Sequence, residues 1–228
     1  MHFKSLLSCV LFFVASFGLA QIPIYDYAKG NRVVLSEEEG ETMDVVGWSK
    51  KGKIAFIQTH QDKSVCLIFD NVKDSIFWSM SLGSLGSLSS GEVLLFDEAL
   101  KVYDIERISS VELKLFPIVE PTEKLSIEVV KDEQVLSWSM IGSSESIDIP
   151  LIKDFVIYLK SSAKGKKVVT RKNDLTEPSH IDVKGYIKSP FENRVFIIVR
   201  FDYFNTMTER YKVKMNYYGS KVGAYYSK

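Results

Sequence analysis

From Asp44 to Leu82 the chain alternates apolar and polar residues with a period of two, the pattern that a half-buried β-strand requires and a helix cannot satisfy. Residues Asp44–Trp48 read as one strand. Lys53–His60 sets Ile54, Phe56 and Gln58 against Ala55, Ile57 and Thr59. Ser64–Asp70 sets Val65, Leu67 and Phe69 against Cys66, Ile68 and Asp70, and Ser75–Leu82 places Ile76, Trp78 and Met80 on one face. The connections Ser49-Lys50-Lys51-Gly52, Gln61-Asp62-Lys63 and Asn71-Val72-Lys73-Asp74 are short enough for hairpins and too short for parallel crossovers. The segment therefore predicts a four-stranded antiparallel meander.

The alternation breaks once. After the loop SLGSLGSLSSG (81–91), the segment 92–108 places Val93, Phe96, Leu100 and Tyr103 on one helical stripe, with Leu95, Ala99 and Val102 beside them. Asp97 and Lys101 are spaced for an i,i+4 ion pair, and Ser89 or Ser90 can cap the helix. Strands then resume: Val111–Phe116, Leu125–Val130, Val135–Met140, Ser146–Ile149, Phe155–Lys160, Val168–Arg171, Ile181–Ile187, Arg194–Phe204 and Arg210–Tyr218. One helix is too few for a doubly wound fold. The expected class is mainly β, with antiparallel meanders in a two-layer or partial propeller-like arrangement and one amphipathic helix at about 92–108.

The segment VVGWSKKGKIAFI (45–57) resembles the blade motif of TolB-like and WD40-type β-propellers, in which a strand ends in Trp-Ser, a basic turn carries Gly, and a strand of the Ile-Ala-Phe type follows. Gly52 is placed to take the positive φ of a tight hairpin, and Ser49 to bond the turn backbone. A fainter copy lies in VKGYIKSPFENRVFIIV (183–199). The resemblance implies a sheet-building role for these residues and no catalytic one.

The first twenty residues, MHFKSLLSCVLFFVASFGLA, have the order of a secretory signal peptide: Lys4 in the charged region, an uncharged and mainly apolar run from Leu6, and Gly18 and Ala20 before a cleavage point. Leu6-Leu7-Ser8-Cys9 loosely resembles a lipobox, but the apolar run continues past Cys9, so cleavage after Ala20 is expected. The domain plan is residues 1–20 as signal and 21–228 as a single β-rich exported domain, with possible sub-parts 21–90 and 109–228 joined by the helix. The mature part retains one cysteine, Cys66, and so has no intramolecular disulfide. No transmembrane helix is expected in it. Its charge is split: residues 21–157 carry 13 Lys/Arg against 23 Asp/Glu, residues 158–228 carry 15 against 6.

Candidate chemistry is sparse. His60 and His180 have no partner at a zinc-binding spacing. The acidic run Glu37-Glu38-Glu39-Gly40-Glu41, near Asp44, lacks the ligand spacing of an EF-hand loop and reads as a solvated turn. Cys66 and His60 share a sheet face only if the hairpin between them closes tightly. The Gly/Ser loop 83–91 precedes a helix but carries no phosphate-binding lysine. No catalytic, cofactor or metal residue is assigned, and no cofactor is expected. Tyr203, Phe204, Tyr211, Tyr217, Tyr218, Tyr225 and Tyr226 crowd the basic end, where aromatics among lysines suit sugars or anionic polymers. The expectation is an exported, non-enzymatic binding or scaffolding protein of the bacterial cell envelope, periplasmic or secreted. Its expected partner is a protein or an anionic envelope component, with no nucleic acid. The alternative is an envelope hydrolase acting on glycan or peptide.

Overall fold

The computed structural model describes residues 21–120, 123–139, 142, 146–172, 177–208 and 210–222. Residues 1–20, where a signal peptide is expected, and the pair Tyr225-Tyr226 lie outside the described residues. The chain is mainly antiparallel β, as its alternation requires, and divides into two compact units. The first takes the chain up to residue 49 with 54–69 and 76–111; the second takes 50–53, 70–75 and everything from 112 on.

In the first unit, β1 (Gln21–Pro23) leads into a short helix, Ile24–Tyr27, and then into β2 (Arg32–Ser36), β3 (Glu41–Trp48), β4 (Lys53–His60), β5 (Lys63–Asp70) and β6 (Ser75–Ser81). Strands β2 to β6 are neighbours in chain order, so the predicted meander is present and gains β2 at its edge. A short β7 (Ser87–Ser89) pairs with β1. The main helix, Ser90–Val102, follows, and then β8 (Glu106–Arg107). Val46, Ala55, Ile57, Cys66 and Ile68 form one core with Ile24, Tyr27, Leu88, Phe96, Ala99 and Leu100. Phe96 is the centre of that core: its ring stacks on Trp78 at 5.5 Å and on Tyr27 at 5.8 Å.

The main helix starts and stops earlier than the predicted 92–108. Ser89 caps it, and Glu92, three residues on, bonds back to the Ser89 backbone, closing a capping box. At its other end Asp104 takes a positive φ of 55°, Asp104 N–H donates to Lys101, and Ile105 N–H donates to Leu100. This is a Schellman stop with Asp in place of Gly. It frees Glu106 and Arg107 to pair with Trp48 and Gly47 of β3. Gly47 permits that approach, because a Cβ there would lie 2.4 Å from the Glu106 carbonyl oxygen. The buried stripe is also narrower than predicted: Leu95 and Val102 are exposed. Asp97 does not need Lys101, since it accepts from the Tyr27 hydroxyl at 2.7 Å and from Arg107 at 2.8 Å. Gly52 has the expected positive φ, 80°.

The second unit contains β9 (Ile118–Glu120), β10 (Glu123–Ser139), β11 (Ser146–Ser161), β12 (Gly165–Arg171), β13 (His180–Lys188), β14 (Arg194–Asn205) and β15 (Arg210–Lys221). They form two antiparallel sheets, ordered β12-β11-β10-β9 and β13-β14-β15. Leu125, Ile157 and Leu159 of the first sheet share a core with Val195, Ile197, Val199 and Phe201 of the second, which makes this unit two-layered. The predicted strands Leu125–Val130 and Val135–Met140 are not separate: 125–130 and 135–139 both belong to β10, which runs through its polar middle with a bulge between Asp132 and Glu133, and Met140 lies outside the described residues. Ser146–Ile149 and Phe155–Lys160 likewise merge into β11. Val111–Phe116 is not a strand: only Lys114 pairs, with Tyr186, and Leu115 is exposed. Pro117, which has no N–H to donate, stops the ladder from extending.

Candidate binding site

The β14–β15 hairpin is in register from Arg194↔Lys221 to Asn205↔Arg210. At its end Asn205 folds its side chain over the turn, and its Oδ1 accepts from Met207 N at 2.9 Å and Thr208 N at 3.2 Å. The register sets Tyr203 opposite Lys212, and Phe201 opposite Lys214. Strand periodicity therefore puts both lysines on the face that carries Phe201, the core face of this sheet. An aromatic row runs outward along that face: Phe155 contacts Phe201 at 5.3 Å, and Phe201 stacks on Tyr203 at 6.4 Å. Where the row leaves the core it borders a recess of about 520 Å³ lined by Tyr203, Phe204, Asn205, Thr206, Met207, Lys212 and Lys214. Phe204 is steadied from the other face by Tyr211, edge to ring at 5.3 Å. Met207 stands almost fully in solvent.

The two lysines differ from most cations nearby. Lys184 pairs with Asp182 at 2.8 Å, Arg194 with Glu192 at 3.2 Å, Arg200 with Asp202 at 2.6 Å, and Lys153 with Glu177. Salt bridges to Lys212 or Lys214 do not occur among the described residues. Lys184, Arg194, Arg200 and Lys153 each have a carboxylate beside them, whereas the hairpin recess sets positive charge next to ring and thioether surface. Of the aromatic residues singled out in the sequence, Tyr217 stacks on Phe196 at 5.2 Å and is buried, and Tyr218 packs against the core. Burial pushes the Tyr218 phenol above its usual range. Those two serve the fold, whereas Tyr203 and Phe204 reach the recess.

The other sequence candidates separate cleanly. Cys66 is fully buried in the first core, and its thiol is pushed far up by burial first and by the charge of Glu92 second. His60 is half-exposed and faces Glu41, its Nδ1 lying 3.8 Å from Oε1. The two do not form a nucleophile pair. In the Gly/Ser loop, Gly83 N–H and Ser89 N–H both donate to the Glu92 carboxylate at 2.7 Å, so the anion at this helix start is the chain's own side chain. Burial acts to raise the Glu92 carboxyl, but these hydrogen bonds outweigh it and hold it below the usual glutamate range.

His180 lies on a smaller recess of about 270 Å³ with Pro150, Ser179, Arg200, Asp202 and Tyr211. Ser179 is buried, and its N–H donates to the Asp202 carbonyl at 2.7 Å. The Asp202 carboxylate is held by Arg200 Nε at 2.6 Å, and the His180 imidazole is exposed. Serine, histidine and aspartate meet here, with the aspartate committed to a guanidinium instead of orienting the imidazole.

No known protein family, curated protein or solved structure matches the chain. The likeness of residues 44–82 to a propeller blade rests on the motif alone.

Proposed function

We propose that this chain is an exported, non-enzymatic binding or scaffolding module of the bacterial cell envelope, and that it holds an anionic partner at the β14–β15 hairpin. The observation that carries the reading is the convergence of Lys212 and Lys214 on one recess with Tyr203, Phe204 and Met207. Ammonium groups supply attraction to carboxylate, phosphate or sulfate groups. The adjoining rings supply a flat apolar surface for a sugar ring or acyl stem. The export half of the reading is supported by the order of residues 1–20.

The test is binding of the mature protein to anionic envelope fractions and to vesicles rich in anionic lipid, at low and at physiological salt. Binding should weaken with added salt as surface charges are screened. Changing Lys212→Glu and Lys214→Glu together should reduce it at least tenfold, with Lys184→Glu as a control of smaller effect. Tyr203→Ala should reduce it further for a glycan than for a bare lipid surface. Salt-insensitive binding, or binding untouched by the double charge reversal, would overturn the assignment to this hairpin.

A further inference from the structure

His60 is far from Glu39 and Glu41 in the sequence for a ligand motif, yet antiparallel pairing gathers the three. Strands β3 and β4 are in register at Thr42↔Thr59, and one step further sets Glu41 opposite His60. Gln58 falls on the same face and donates to Glu41 Oε1 at 2.9 Å. The turn between β2 and β3 then brings Glu39 over the pair, with Gly40 at a φ of 62° and Glu39 N–H bonded to Ser36 Oγ. One ligand atom from each of Glu39, Glu41 and His60 lies within 4.8 Å of the other two.

We propose that these three residues form a divalent transition-metal site, with zinc as the first choice. Three features of the chemistry support it beyond the proximity of carboxylates. First, the set is mixed: an imidazole nitrogen with two carboxylates favours zinc-like ions over calcium or magnesium, which take oxygen ligands. Second, His60 Nδ1 is shielded from solvent and donates or accepts no hydrogen bond among the described residues, while pointing toward Glu41. A neutral imidazole with its lone pair on that nitrogen is ready to coordinate. Third, the Glu41 side chain is only 2% exposed, so an ion ligated by it would be shielded from competing water.

Glu41 is fixed by the Gln58 amide, which serves as an outer-shell support, and His60 is fixed by its strand. Tetrahedral zinc ligands at about 2.0–2.1 Å from the ion stand roughly 3.3 Å apart. His60 Nδ1 and Glu41 Oε1, 3.8 Å apart, reach that spacing by a small side-chain rotation, and Glu39, carried on the turn between strands, moves in to complete the set. Three protein ligands leave a fourth position for water or for a group on a partner. The ion would pin the β2–β3 turn to the end of β4.

The experiment uses untagged mature protein, stripped with a chelator and titrated with zinc chloride at pH 7 by calorimetry, with thermal melting as a second readout. One zinc per chain and a higher melting temperature are expected. His60→Gln and Glu39→Gln should each lower the affinity at least tenfold, while Glu37→Gln, Glu38→Gln and His180→Gln leave it unchanged. Glu39 and His60 are partly exposed, so these variants should fold even if Glu41→Gln does not. Absence of saturable zinc binding would overturn the proposal. So would equal binding of calcium, or zinc binding that survives both His60→Gln and Glu39→Gln.

Discussion

The two units solve the same problem, burying one face of an antiparallel sheet, in different ways. In the first, the sheet is covered by a helix whose start and stop are specified within a few residues: Ser89 and Glu92 at one end, Asp104 at the other. In the second, each sheet is covered by the other, and what specifies the arrangement is the register of long strands such as β10 and β11. Local devices punctuate the first unit; long-range pairing determines the second. Their candidate sites follow the same division of charge. The acidic first part presents Glu39, Glu41 and His60, and the basic last part presents Lys212 and Lys214.

Removing one ring from each core tests whether the two units unfold separately. Phe96 and Phe201 are both fully buried at the centre of their clusters. Phe96→Ala and Phe201→Ala should each cost about 3–5 kcal/mol, through lost burial and the cavity left behind. Urea unfolding followed by amide exchange separates the two effects. Phe96→Ala should lower protection in β3 to β5 and the main helix, and Phe201→Ala in β10 to β15. If each variant lowers protection equally in both sets, the cores unfold as one cooperative block and the distinction between units has no thermodynamic content.

The same contrast explains what the sequence made legible. The meander at 44–82 was readable because its turns are short and each strand is bounded by Gly, Asn, Asp or Lys. The helix was readable as a stripe, but its ends were not. Asp104 in a left-handed conformation does the work usually given to glycine, and Asp97 found Tyr27 and Arg107 through folding instead of Lys101 through spacing. In the second unit the polar run at 131–134 looked like an interruption and is a bulge inside one strand. Val111–Phe116 alternates well but joins no ladder and makes only the isolated bridge from Lys114 to Tyr186. Of the candidate sites, Lys212 and Lys214 were visible because they stand beside aromatics in one strand. The cluster at His60 was invisible, since only the β3–β4 register places a turn glutamate and a strand histidine together. A strand period of two was the one available hint that Glu41 and Met43 share a face.

A smaller effect tests the close packing of β8 on β3. Gly47→Ala would set its new methyl 2.4 Å from the Glu106 carbonyl oxygen, and backbone cannot move aside as a side chain can. The expected cost is about 1–3 kcal/mol. The exchange rate of the Ile108 amide, which bonds to Val46, should rise before that of the central strands. Unchanged protection at Ile108 would mean that β8 adds nothing to the first unit, and that the unit resembles the second in relying on sheet register alone.

The smallest effect is the most diagnostic of local punctuation. Ser89→Ala removes the hydroxyl that accepts from Glu92 N–H and should cost about 1 kcal/mol. Glu92→Gln should cost a comparable amount at neutral pH, because a neutral amide replaces a carboxylate that accepts from Gly83 and Ser89. The pH dependence has a definite sign. The Glu92 carboxyl is held below its usual range in the folded chain, so its contribution is complete above the unfolded glutamate pKa of about 4.3 and is lost as pH falls through the lower folded value. The stability gap between the natural chain and Glu92→Gln should therefore be flat from pH 7 down to about pH 5 and close toward pH 3. The measurement is the urea midpoint of both proteins across that range. A gap that persists at pH 3 would show that shape, not charge, makes Glu92 a cap. The helix would then be positioned by its packing on Trp78 and Tyr27, by the same long-range logic that orders the second unit.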